Sequence, residues 1–191
     1  MSAQFDPSAQ KYLDQLADAV KSAEGLVISF EATVSSISDE EQVNNGVGKL
    51  LLKQNYHKLK IADSESYGDG DTQWLYYPED DEVTIQQVEE NEITPASIFT
   101  IYKEGYRFRL LEEKEATVVV ELSPERHESS YVRVTLYINT AKQQLEAFTA
   151  QGKNGILTSV KITEWEVKPL DDAQVKFNAE EHPDVDIIDL R

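Results

Sequence analysis

The sequence predicts a mainly β fold of the α+β class: a single domain over residues 1–191, built on one large antiparallel sheet of about eleven strands with two helices against it. Three observations carry this expectation. Most of the chain alternates apolar and polar residues with period two. Clusters of Gly, Pro, Asn and Asp cut that alternation into short runs. Only two segments switch to helical spacing, and each is opened by a Pro and closed by a Gly.

The first helix is expected over 6–24. Asp6 stands as N-cap, Pro7 at the first helical position and Gly25 at the end, and Ala9, Leu13, Leu16, Ala17 and Val20 make one apolar stripe. In "GLVISFEATVS", Leu26, Ile28, Phe30, Ala32 and Val34 share one face, with Ser29, Glu31, Thr33 and Ser35 on the other. "YHKLKIAD" sets Leu59 and Ile61 against Lys58 and Lys60. In "GDGDTQWLYYPEDDEV", Trp74 and Tyr76 share a face and Leu75 and Tyr77 take the other. A second, short helix over 95–104 starts at Thr94-Pro95 and ends at Gly105; Ile98, Phe99, Ile101 and Tyr102 leave it greasy on most sides. About ten residues make a helix too short to stand alone, so it must lie against something apolar. "YRFRL" sets Tyr106, Phe108 and Leu110 against Arg107 and Arg109. "YVRVTLYI" sets Val132, Val134, Leu136 and Ile138 against Tyr131, Arg133, Thr135 and Tyr137.

A sheet of that many strands must curl or split. Two helices, one very short, are little cover for its dry face. The sheet therefore closes on itself or stays half open with the helices across its mouth, and a space lined by Leu, Ile, Val, Phe and Trp is expected between them.

Composition excludes several function classes. Asp plus Glu number 36 against 18 Lys plus Arg, a net charge of -18, so nucleic acid and anionic membrane surfaces are repelled. The chain has no cysteine, hence no disulfide or thiolate chemistry. No stretch approaches the roughly 20 apolar residues of a membrane helix, so stable membrane insertion is not expected. "MSAQFDP" lacks the basic start and apolar core of a signal peptide. The chain reads as cytosolic, or as a mature secreted protein with residues 1–3 a flexible, added start.

Catalytic signals are missing. The carboxylates at 79–82, 89–90 and 112–115 read as solvated turns, and neither a Gly-x-Ser-x-Gly elbow nor a phosphate-binding Gly loop occurs. The protein is expected not to be an enzyme and to need no cofactor. His57, His127 and His182 are too scattered for a zinc site. Asp69 and Asp71 around Gly70 look like a piece of a calcium loop, but without its ordered oxygen ligands a tight turn explains them better, and no metal is expected. The aromatic run at 74–77 stays open between a strand that anchors the core and one that faces an apolar guest.

Some of these features also resemble a known family. "SYGDGDTQWLYYP" follows "GVGKLLLK" by about a dozen residues. The order Gly48, Leu50, Leu52, Lys53, then Asp69, Gly70, Trp74, Tyr76 and Pro78, then the Thr-Pro helix, is similar to that of the LolA family, the periplasmic carriers of outer-membrane lipoproteins. The opening "FDPSAQKYLDQLADAVKSAEGLVISFEATV" resembles the family's first helix and strand, and "HPDVDIIDLR" its closing segment. The resemblance implies a curved, half-open antiparallel β-barrel with the N-terminal helix and the short helix as a lid over an apolar cavity. It implies a periplasmic, monomeric carrier that shelters the acyl chains of lipoproteins. An inner-membrane transporter would load it and an outer-membrane acceptor would unload it. The alternative on the same fold is an envelope sensor or a binder of another lipid.

On this reading the cavity is lined by Leu16 and Val20 of the first helix and by Ile28, Phe30, Leu50, Leu52, Leu59, Ile61, Trp74, Tyr76 and Phe108 of the strands. Ile98, Phe99 and Tyr102 line it from the lid. Many such carriers place an Arg after the Lys that ends the second strand, where it latches the lid; here the latch position is Gln54, a neutral and weaker donor.

Overall fold

The computed structural model describes residues 5–37, 42–89 and 92–191. The expected start at 1–3 lies outside them. Helix α1 (Pro7–Ser22) is followed by β1 (Leu26–Ser36), β2 (Gln42–Lys53), β3 (Tyr56–Ile61), β4 (Ser64–Gly68), β5 (Thr72–Tyr77) and β6 (Glu82–Gln87). After the lid segment come β7 (Tyr106–Lys114), β8 (Thr117–Pro124), β9 (Tyr131–Asn139), β10 (Gln144–Gly152), β11 (Ile156–Val167) and β12 (Asp186–Asp189). All belong to one curved, unclosed sheet in the order β12-β6-β5-β4-β3-β2-β1-β11-β10-β9-β8-β7. The described strands number twelve rather than eleven. The addition is β12, whose Asp-Ile-Ile-Asp lacks alternation and which pairs with β6 in parallel, against the antiparallel rule of the rest.

Helix α1 begins as its sequence dictates. Asp6 Oδ1 accepts the Ser8 and Ala9 N–H groups, satisfying donors that the helix leaves free. Its other oxygen accepts the Leu110 N–H at 3.1 Å, so the cap also pins the helix to β7. The helix stops at Ser22 with Ala23 as C-cap, short of the expected residue 24. Gly25 serves a different purpose: a Cβ there would overlap the Lys168 carbonyl and Leu170, so only glycine lets the two segments touch.

Ala9, Leu13, Leu16 and Ala17 of α1 are buried on the concave face of the sheet. That face carries Leu26, Ile28, Leu50, Leu52, Val118, Val120, Leu122, Val134, Leu136 and Ile138. Each fully buried Leu or Ile there contributes about 1.5–3 kcal/mol of transfer free energy.

A smaller cluster lies on the convex face, where Val27 meets Leu170 and Val175, with Leu51 and Tyr56 against it. Its cover is the C-terminal segment, which runs back across the sheet from Lys168 before joining the edge as β12. It is tied down by Lys53 Nζ to Asp172 Oδ1 at 2.8 Å and by Lys176 over the Tyr56 ring at 4.3 Å.

The expected lid helix over 95–104 is instead two 3-10 turns, Ser97–Phe99 and Ile101–Lys103. Thr94 and Ser97 bond reciprocally, each side-chain oxygen accepting the other's N–H (3.1 and 2.8 Å), which starts the segment. Thr100 then adopts φ -131°, outside the helical region, and breaks it in two. Gly105, at φ +75°, ends it where expected.

Candidate functional site

Between the concave face and the lid segment lies a cavity of about 450 Å³. Hydrogen-bonded strand neighbours share a face in an antiparallel sheet, so register alone places its walls. Ile28, Leu50 and Leu59 form one row across β1, β2 and β3. Six residues along β1, about 20 Å at strand rise, Val34, Asn44 and Thr158 form another. Phe30, Ala32, Ile61, Phe148, Ala150, Val160 and Ile162 line the span between them. Ile93, Thr94, Pro95, Ile98 and Phe99 close it from the lid. No charged side chain lines it among the described residues; its polar lining residues are Asn44, Asn45, Thr94, Tyr131 and Thr158.

Of the residues designated from sequence, Ile28, Phe30, Leu50, Leu59, Ile61, Ile98 and Phe99 line this cavity. Leu16, Leu52, Tyr102 and Phe108 belong to the adjoining packed core, and Val20 packs against it. Helix α1 fills its part of the concave face, so none of its residues reaches the cavity wall.

Trp74 and Tyr76 do not line the cavity. They share a face, as expected, but it is the convex one: Trp74 stands in the row Val27–Leu51–Lys58–Tyr67–Trp74. Trp74 stacks on Phe177 at 6.4 Å between centroids, and Tyr76 meets His182 at 4.6 Å. Phe177 and His182 stack on each other at 5.6 Å. The aromatic run is therefore a seat for the C-terminal segment, and its apolar guest is the chain's own tail.

The expected latch position, Gln54, makes no bond to the lid among the described residues. It sits exposed in the two-residue turn between β2 and β3, at φ 55°, and its side chain bonds to no described residue. Lys53 beside it is committed to Asp172 on the convex face. The lid is held elsewhere. The Tyr102 hydroxyl donates to Asp14 Oδ1 of α1 at 2.5 Å, and burial, reinforced by that carboxylate, pushes the phenol's pKa up. Edge-on ring contacts add to it, Phe99 with Trp165 at 5.9 Å and Tyr102 with Phe108 at 5.9 Å.

Two aromatics escape the period-two reading because bulges shift it. Between Ser29 and Phe30 the partner register on β11 jumps from Glu164 to Ile162, and the extra residue, Thr163, lets Ile162 and Trp165 both face inward. Between Gln151 and Gly152 the register on β9 skips Val132, so Tyr131 lines the cavity while Val132 stays 43% exposed.

Asp69 behaves as a turn residue. Its Oδ1 accepts the Asp71 and Thr72 N–H groups at 3.0 and 2.8 Å, with Gly70 at φ +105°. His57, by contrast, is fully buried beside Gly68, and neither ring nitrogen has a hydrogen-bond partner among the described residues. Burial lowers its pKa to about 4, opposed by the Asp69 charge.

The sequence model of the family described as outer membrane lipoprotein carrier protein LolA matches residues 21–178. No curated protein matches the chain. Among solved structures, an uncharacterized conserved protein from Thermus thermophilus is 15% identical with a TM-score of 0.58, over 95% of this chain and 99% of that one. A LolA superfamily protein from Nitrosomonas europaea is 12% identical with a TM-score of 0.51, over 88% and 97%. MucB is 16% identical with a TM-score of 0.50, over 91% of this chain and 64% of MucB. At these identities the likeness is one of fold.

Proposed function

The chain belongs to the LolA family of outer membrane lipoprotein carrier proteins, and from that premise we propose that it shelters acyl chains of lipoproteins in its cavity and ferries them through the periplasm from inner to outer membrane. One observation carries the reading: a half-open apolar space with no charged lining among the described residues, under a lid that buries Ile98, Phe99 and Tyr102 and ties to α1 through the Tyr102 hydroxyl. A carrier must shield its guest from water yet release it, and an apolar wall with few polar anchors serves both needs. The carrier performs no chemistry on its guest. It is loaded by an inner-membrane lipoprotein-releasing transporter and unloaded to an outer-membrane acceptor, acting as a monomer.

A second reading, an envelope sensor or lipid-binding domain on the same fold, is favoured by Gln54, which makes no bond to the lid where a carrier's latch is expected. Purification from the native envelope under mild conditions separates the two. Mass spectrometry of the bound fraction should find lipoproteins for a carrier. Free lipid with no lipoprotein is the outcome that would replace the carrier with the second reading.

A further inference from the structure

We propose that the outer edge of β12 is a docking site for an extended, basic segment of another protein, which pairs with it and prolongs the sheet. Backbone direction comes first. In a parallel ladder, alternate residues of a strand turn both their N–H and their C=O to the same neighbour. The Asp186 N–H donates to the Asp81 carbonyl and the Leu190 N–H to the Ile85 carbonyl, each at 2.8 Å, so residues 186, 188 and 190 face β6. Ile187 and Asp189 therefore turn their N–H and C=O groups outward, and β12 is the outermost described strand on that side. The opposite edge is treated differently. There Phe5 bridges to Phe108, the Asp6 N–H donates to the Phe108 carbonyl and Asp6 Oδ2 accepts from Leu110, so part of β7 is already covered.

Side chains name the partner. Ile187 is 50% exposed and Ile188 41%, one on each face of the sheet, so an incoming strand finds an apolar contact on both sides. Around them the charge is one-sided. The register sets Asp186 directly opposite Glu82, a like-charge pair that is unfavourable between neighbouring strands. The turn before β6 adds Glu79, Asp80 and Asp81, and neither these acids nor Glu82, Asp184 or Asp186 enter an ion pair among the described residues. Asp189 differs: Arg191 pairs with it at 2.7 Å, so the unmatched charge sits at the Asp186 end. A Lys or Arg on the incoming strand, set against Asp186, relieves the repulsion from Glu82 that the chain leaves standing. A second copy of this chain brings the opposite, its own Asp186 and Asp189 and a net charge of -18. The same carboxylates thus turn like copies away and select a cationic strand. No β12 residue lines the cavity, so the site does not depend on what the cavity holds.

The test uses the full chain and a pair of capped synthetic peptides, one alternating Lys with Val and the other Glu with Val. Amide hydrogen exchange read by NMR should show Ile187 and Asp189 protected by the Lys peptide and unaffected by the Glu peptide. Added salt should weaken the Lys peptide. Ile187→Pro removes an outward N–H while leaving the bonds from β12 to β6 in place. It should abolish the protection at Asp189 while the Ile188 and Leu190 amides stay slow. Asp186→Lys, which keeps every backbone bond, should weaken the Lys peptide about two- to fivefold. Equal protection by the Glu peptide, protection at β7 instead, or unchanged affinity in Asp186→Lys would each overturn the proposal. Protection of Ile187 and Asp189 that grows with protein concentration in the absence of peptide would overturn it too, by giving the edge to a second copy.

Discussion

The Tyr102 hydroxyl reaches Asp14 Oδ1 at 2.5 Å, and this bond joins the second turn of the lid to helix α1 across 88 residues of sequence. A hydrogen bond to a carboxylate contributes about 1.5–3 kcal/mol. Replacing Tyr102 by Phe keeps the ring against Phe108 and deletes the bond alone. The expected outcome, read by stopped-flow exchange of an apolar probe, is faster uptake and faster release with little change in equilibrium affinity. Asp14→Asn, which leaves a neutral acceptor, should fall between wild type and Tyr102→Phe. Identical exchange rates in all three proteins would mean that this bond does not govern the lid.

Gly48 lies opposite Phe30 on β1, and a Cβ built on it would overlap the ring. Gly48→Ala must therefore push Phe30 toward the cavity it lines. Overpacking of this kind costs about 1–3 kcal/mol. The expected result is a lower denaturation midpoint together with weaker probe binding, because the displaced ring takes space from the guest. Probe affinity equal to wild type would show that Phe30 relaxes in another direction.

Trp74→Ala should leave probe binding unchanged while weakening the hold on the C-terminal segment, because the ring packs against Phe177 on the convex face. Removing one member of an aromatic pair forfeits about 0.5–1.5 kcal/mol beyond the buried area. Limited proteolysis should then cut the segment after Lys168 faster, and Phe177→Ala should reproduce the effect. A loss of probe affinity in Trp74→Ala would return that ring to the cavity.

His57 makes the fold acid-labile in a defined window. Its folded pKa is about 4, below the ordinary histidine value of 6.5, so between these values the unfolded chain binds the extra proton. Stability is therefore full above the unfolded value and declines as pH falls toward the folded one, by about 3 kcal/mol in all. His57→Leu removes the titrating group and the two unpartnered nitrogens. Urea titrations of this variant should show a flatter stability profile between pH 6.5 and 4. A slope matching wild type would assign the acid sensitivity to other groups.

Face assignment is legible in the sequence wherever strands are regular. The alternation in β1 and β3 puts Ile28, Phe30, Leu59 and Ile61 on the cavity side, and the Thr94-Pro95 signal locates the segment that covers them. Trp165 and Tyr131 stay hidden because one extra residue, at Thr163 and Val132 respectively, inverts the parity of the residues beyond it. Trp74 and Tyr76 do share a face, but it is not the one expected. Periodicity says which residues share a face, while the cover of that face is supplied here by Phe177 and His182, about a hundred residues onward. The lid breaks at Thr100 because so short a helix takes its shape from the surface it lies on.

Strand β12 has a consequence for how the protein lives in crowded solution. An open sheet ends in a row of unpaired backbone groups that can template any passing strand. On this side the position beside β6 is taken by the chain's own tail, which pairs along Glu82 to Ile85 and turns Asp186 and Asp189 toward water at the rim. Cutting the chain before Asp186 would bare β6, with its buried Val83 and Ile85, as a sticky margin. Strand β12 is thus a hem that moves the open margin outward onto itself rather than abolishing it, leaving Asp186 and Asp189 beside the half-exposed Ile187 and Ile188 as the surface a neighbouring strand would meet.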